Sequence, residues 1–119
     1  VVNNARSEND GTLAARAVAE SPLVKTAAFA NDANWGRIMM AIGKSGAEFD
    51  QSNVEVWIGN CQIVKNGVDA GFDERKAKEQ LSKDTVNITA DLHSGHTDVT
   101  FWTCDYSYDY VKINAEYRT

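Results

Sequence analysis

Several groups of residues in this 119-residue chain have types and spacings that invite chemistry. His93, His96 and Cys104 offer two imidazoles in one loop and a thiol close behind, a set suited to zinc. A fourth ligand at useful spacing is missing, so they read as polar turn residues and a small apolar thiol in a strand, and no metal is assigned. Gly43-Lys44-Ser45-Gly46 looks like the end of a phosphate loop, but the earlier glycine is absent and the run ends a helix instead of starting one. Gly43 is therefore expected as a helix C-cap. Asp69, Asp73 and Glu74 gather three acids in a solvated turn that leads into a helix N-terminus. No Ser-His-Asp order is arguable, because both histidines share one turn and nothing marks a nucleophile. Catalytic residues are thus assigned to none of these positions.

The elements that would position such residues are legible in the periodicity. Val1-Val2-Asn3 reads as the middle of a strand, and the chain is expected to be a fragment of a longer protein. A helix is expected from Ser7, its N-cap, to Glu20, and Pro22 then opens a Leu23 to Phe29 segment that periodicity leaves as either strand or helical turn. Trp35, Ile38, Met39 and Ile42 repeat at helical spacing, predicting a helix over Asn34 to Ile42. Val54, Val56 and Ile58 alternate, and Gly59-Asn60 and Asn66-Gly67 supply turns into Cys61 to Lys65 and Val68, a hairpin or short meander. A charged helix over Asp73 to Ser82 should touch the core through Ala77 and Leu81, with Phe72 as its staple. Val86 to Leu92 and Val99 to Thr103 both alternate and are expected to pair antiparallel, and Tyr106, Tyr110, Ile113 and Tyr117 mark a closing helix capped by Ser107 or Asp105. Helices interleaved with hairpins make an α+β fold, with a mixed or antiparallel sheet, helices on one face, and a single two-layer domain over 1–119.

Composition narrows the function. With 43% hydrophobic and 24% charged residues the chain is an ordinary globule, and its formal charge of −5 without clustered Lys or Arg disfavours nucleic acid. No apolar run is long enough to span a membrane, and no signal peptide is visible. Two cysteines, Cys61 and Cys104, read as reduced, packed thiols in a cytosol-like compartment. Two segments remain that generic folding does not explain. One runs from Ser21-Pro22-Leu23-Val24-Lys25-Thr26-Ala27 to Asn34-Trp35-Gly36-Arg37-Ile38. The other is the chain's end from Cys104-Asp105-Tyr106-Ser107 through Tyr108-Asp109-Tyr110-Val111-Lys112-Ile113-Asn114-Ala115-Glu116-Tyr117-Arg118-Thr119, which keeps an apolar stripe where chain ends usually fray.

On these motifs the sequence resembles, over its whole length, the bifunctional glutamate N-acetyltransferase, or ornithine acetyltransferase, family of arginine biosynthesis, in the C-terminal part of its β chain. The resemblance implies an enzyme that cuts itself into α and β chains. The threonine freed at the start of β takes acetyl from N-acetylornithine as an acetyl-enzyme and passes it to glutamate, with its own α-amine as a base. None of Thr12, Thr26, Thr85, Thr97 or Thr100 has the neighbours of that threonine, so the nucleophile lies outside this chain, which alone is expected to be inactive. Two substrate-binding positions carry over, Asn114 and Thr119. The resemblance further implies no cofactor, a cytoplasmic heterotetramer with the rest of β and the α chain as partners, and small amino-acid substrates. Ala30-Asn31, Ala33 and the His93 to Thr103 segment depart from the usual pattern. The alternatives from other classes are a small amino-acid-binding or regulatory module without transferase activity, and a structural assembly domain.

Overall fold

The computed structural model describes residues 1–108, 112, 113 and 115. The elements run β1 (Val2–Ala5), α1 (Glu8–Glu20), α2 (Pro22–Phe29), α3 (Trp35–Gly43), β2 (Glu55–Ile58), β3 (Cys61–Lys65), β4 (Val68–Asp69), α4 (Glu74–Leu81), β5 (Ile88–Asp91) and β6 (Thr97–Val99), with a 3-10 turn at Gln51–Asn53 before β2. The helix starts follow from side-chain caps. Ser7, Ser21, Asn34 and Asp73 each accept a backbone N–H from the first turn that follows, which satisfies a donor the helix itself cannot. Ser21, together with Pro22 in the first turn, settles the ambiguous Leu23 to Phe29 segment as helix.

Six strands form one mixed sheet in the order β4-β3-β2-β5-β1-β6. β1 runs parallel to β5 and antiparallel to β6, and the remaining neighbours are antiparallel. Alternation sorts the faces: Val54, Val56, Ile58, Ala90 and Leu92 are buried, while Glu55, Trp57, Thr89 and Asp91 between them are only partly covered. Val24 of α2, Ile38 of α3 and Leu81 of α4 line one small cavity with Ile58 and Ile88, so these helices share the sheet's apolar face. The fold is α+β with a mixed sheet, as expected. Asn66 and Gly67, at φ of 52° and 75°, make the left-handed pair that a tight hairpin between β3 and β4 requires.

The predicted β5–β6 hairpin is not formed, because β1 lies between the two strands. Val2 and Ala5 are buried, and β1 needs a backbone partner on each side. The loop after β5 makes this possible by crossing the end of β1, where Ser94 N–H donates to Asn4 O at 2.9 Å. Gly95 passes so close to the Ala5 carbonyl that a Cβ there would overlap it. Gly43 is also not a cap. It is the last residue of α3, and Lys44, with ordinary right-handed dihedrals, closes the helix. Of the predicted closing helix, Tyr108, Lys112, Ile113 and Ala115 are helical and Ser107 immediately precedes them, while Tyr110 and Tyr117 lie outside the described residues.

Candidate functional site

The principal concavity is a cleft of about 450 Å³. Ala15, Val18 and Ala19 of α1, Val24 of α2, Ile38 of α3 and Leu81 of α4 supply its apolar floor. Val1, Val2 and Ala90 form part of its sheet side, Lys83 to Ile88 one wall, and Thr100 to Asp105 the other. Among the described residues its charged rim consists of Lys25, Lys83, Asp84 and Asp105, with no histidine or glutamate in the lining. The Val1 nitrogen donates to Ile88 O at 2.8 Å. Among the described residues lining the cleft there is no nucleophile paired with a base. What the cleft offers is an apolar bed with hydrogen-bonding walls.

The 101–108 segment is strapped across the ends of α1 and α2. The Arg16 guanidinium lies 5.8 Å from the Phe101 ring, and Thr103 Oγ1 donates to Ala19 O at 2.8 Å, satisfying a carbonyl in the last turn of α1. Further on, Tyr106 N–H reaches Lys25 O at 3.4 Å, Lys25 Nζ stands 4.7 Å above the Tyr106 ring, and Tyr108 meets Phe29 edge-on at 5.4 Å. The chain is thereby guided along α2. Asn114 and Thr119, the two predicted binding residues, lie outside the described residues.

The Asn34 to Arg37 block has a mechanical part in this arrangement. Asn34 Oδ1 caps α3 by accepting from Arg37 N–H at 3.1 Å, and Arg37 Nη1 donates to Leu23 O at 2.9 Å, tying α3 to α2. Trp35 is half-buried against the core instead of fully enclosed. The Arg37 tie is silent in the sequence, since a guanidinium reaching a carbonyl on another helix leaves no trace in periodicity.

On the sheet's open face His93 is held between two carboxylates. Its Nε2 lies 2.6 Å from Glu55 Oε1, while Gln62 Nε2 donates to the other oxygen of that carboxylate at 2.6 Å. Asn4 Nδ2 donates to both oxygens of Asp91, at 3.1 and 3.0 Å, and His93 N–H reaches Asp91 Oδ1 at 2.9 Å. The hydrogen bond from His93 is the main reason the Glu55 carboxyl titrates below its ordinary value. His96 and Cys104 are exposed, and among the described residues no group of three or more His, Cys, Asp or Glu side chains is arranged to hold a metal ion. Cys104 therefore departs from the packed strand thiol expected of it. Cys61 is the one that packs, partly buried in β3, where burial raises its thiol pKa.

Comparison with known proteins gives a consistent result along the whole chain. A protein of Symbiobacterium thermophilum called "Arginine biosynthesis bifunctional protein ArgJ" is 49% identical over 118 residues, covering 99% of this chain but 29% of its own length. One of the same name from Oceanobacillus iheyensis is 48% identical over 119 residues, covering 100% and 29%. The crystal structure of the protein so named from Bacillus halodurans superimposes with a TM-score of 0.92 at 41% identity, over 98% of this chain and 55% of that one. The chain thus spans under a third of the curated relatives it matches. The family model described as "ArgJ family" matches residues 1–119.

Proposed function

This chain belongs to the ArgJ family, and from that premise we propose that it is the C-terminal domain of the β chain of an ornithine/glutamate N-acetyltransferase. In this reading a threonine outside the chain attacks the acetyl carbonyl of N-acetylornithine. The acyl C–N bond breaks, the released ornithine amine takes the proton, and the acetyl group rests on the threonine oxygen as an ester. The amine of glutamate then attacks that ester, forming N-acetylglutamate and returning the proton to the threonine. Freeing the threonine requires the precursor to cut itself into α and β chains, and the working unit is a cytoplasmic heterotetramer. No cofactor enters this acyl exchange.

The part of this chain in that reaction is to bind and orient, through Asn114 and Thr119. A side-chain amide donates to the substrate carboxylate, and a hydroxyl accepts from its amines. The observation that carries the reading is identity near 49% maintained across 99% of the chain with a bifunctional arginine-biosynthesis protein. The strap that leads the 101–108 segment along α2 supports it, since an anchored approach gives the residues that follow a fixed point of departure. In the intact assembly, Asn114→Ala and deletion of Thr119 should raise KM for the amino-acid substrate without unfolding the protein. Unchanged steady-state constants in both variants would remove the site assignment. Binding without acetyl transfer in the complete protein would instead identify an amino-acid-binding module.

A further inference from the structure

We propose that the cleft is a slot for one more length of β-strand, supplied by the remainder of the longer family protein and lying in line with β1. The hydrogen-bond ladder motivates this. The Val1 amine donates to Ile88 O, Ala90 N–H donates to Val1 O at 2.9 Å, and Leu92 N–H donates to Asn3 O at 3.0 Å, so alternate residues of β1 face β5. Val2, between them, stands opposite Val99 on β6. Continued past Val1, this ladder turns Ile88 N–H and the backbone of Phe101 toward the cleft from opposite sides. No described residue hydrogen-bonds the backbone of Phe101.

The dimensions select the occupant. β5 and β6 flank β1, so walls that continue them stand two strand spacings apart, roughly 10 Å, which admits one strand but not a helix with its side chains. The sequence alternation in Val86 to Leu92 and Val99 to Thr103 outlasts β5 and β6, which stop where the cleft opens, leaving Val86 and Phe101 as strand-patterned residues without strand partners. The floor of Ala15, Ala19, Val24 and Leu81 is apolar. Alternate residues of the segment, beginning with the one that abuts Val1, share the face of Val2 and are therefore apolar. The source is the same protein because curated relatives are more than three times as long as this chain, which covers 29% of them. The proposal rests on family membership and is independent of the acetyl-transfer reading.

Amide hydrogen exchange in the intact protein tests it, with Ala90 as the internal reference, because its N–H is already paired to Val1 O. Filling the slot makes Ile88 and Phe101 exchange within about tenfold of Ala90, and about 100-fold or more slower than the exposed loop residue Asp84. Ile88 and Phe101 exchanging as fast as Asp84 would overturn the proposal. A second readout is a proline replacing the residue that abuts Val1, which removes the N–H facing Phe101. It should speed exchange at Phe101 and leave the distant Val64 amide protected, whereas an unchanged Phe101 overturns the proposal. Acetyl transfer is assayed separately, so loss of one reading leaves the other standing.

Discussion

Thr103→Val isolates the strap. The substitution keeps the side chain's shape and removes the hydroxyl that donates to Ala19 O at 2.8 Å, leaving a last-turn carbonyl of α1 to find water. That site is only partly buried, so the loss is that of an ordinary hydrogen bond, about 1 kcal/mol, or about fivefold in the population of the undocked segment. Amide exchange of Cys104 to Ser107 should accelerate by that factor while the core strand β2 keeps its protection, because this is local opening and not unfolding. Substrate KM should barely move in the single variant. Apparent affinity scales with the docked fraction, and a segment docked most of the time remains so after a fivefold change. Adding Lys25→Met removes the cation over the Tyr106 ring, about another 0.5–1 kcal/mol, and Arg16→Met a similar amount at Phe101. In the triple variant the undocked fraction is no longer negligible, and KM for the amino-acid substrate should rise while protection of β2 persists. Exchange at Cys104 to Ser107 within twofold of the parent in the single variant would refute the strap.

Three further outcomes are expected. Gly95→Ala should cost about 2–3 kcal/mol in denaturant unfolding, since its Cβ meets the Ala5 carbonyl and the Arg6 backbone and not a movable side chain; a change under 0.5 kcal/mol would contradict the loop's passage over β1. Ile63→Ala should cost about 2–5 kcal/mol, because Ile63 is fully buried and the sheet cannot close around the void. Glu55 has a folded pKa below its reference of 4.5, so its contribution is fully present above that value and is lost as pH falls through the folded pKa. Glu55→Gln should flatten the acid limb of the stability–pH curve below about pH 4.5, and an unaltered limb would show that His93 does not favour the carboxylate.

Local elements were legible because their signals are local. Ser7 caps its helix as expected, the helices expected over Asn34 to Ile42 and Asp73 to Ser82 form with Asn34 and Asp73 as their caps, and the Gly59 and Asn66-Gly67 turns join β2, β3 and β4 into the meander. Order in the sheet was not legible. Two alternating runs joined by a short loop look like a hairpin, and nothing in residues 86 to 103 reports that a strand more than eighty residues earlier separates them. Gly95 is the nearest thing to a sequence trace of that crossing, and without coordinates it reads as one more turn glycine. Cys104 is exposed for a related reason: alternation up to Thr103 suggests a strand, but β6 stops at Val99, opposite Val2. The cleft was invisible because its lining comes from every helix and from both flanks of the sheet.

The relation between the motif block and the strap bears on why unusual residues concentrate far from any reacting group. Asn34 and Arg37 present nothing to the cleft that could act as acid, base or nucleophile; they fix α3 at its start and bind it to the Leu23 carbonyl of α2. α2 in turn provides Lys25 and Phe29, which support Tyr106 and Tyr108. An error in the position of α2 would therefore be carried into Tyr106 and Tyr108, which rest on Lys25 and Phe29 and on the 3.4 Å contact of Tyr106 N–H with Lys25 O instead of a strand ladder. Arg37→Lys tests this coupling. It keeps the charge but replaces a planar donor with a flexible ammonium, so the Leu23 contact loses its fixed geometry. Exchange at Cys104 to Ser107 should rise, and restoration by neither added salt nor a second charge nearby would mark the effect as geometric. If exchange there is unaffected while α3 itself loosens, the motif stabilises its own helix and has no part in aiming the chain end.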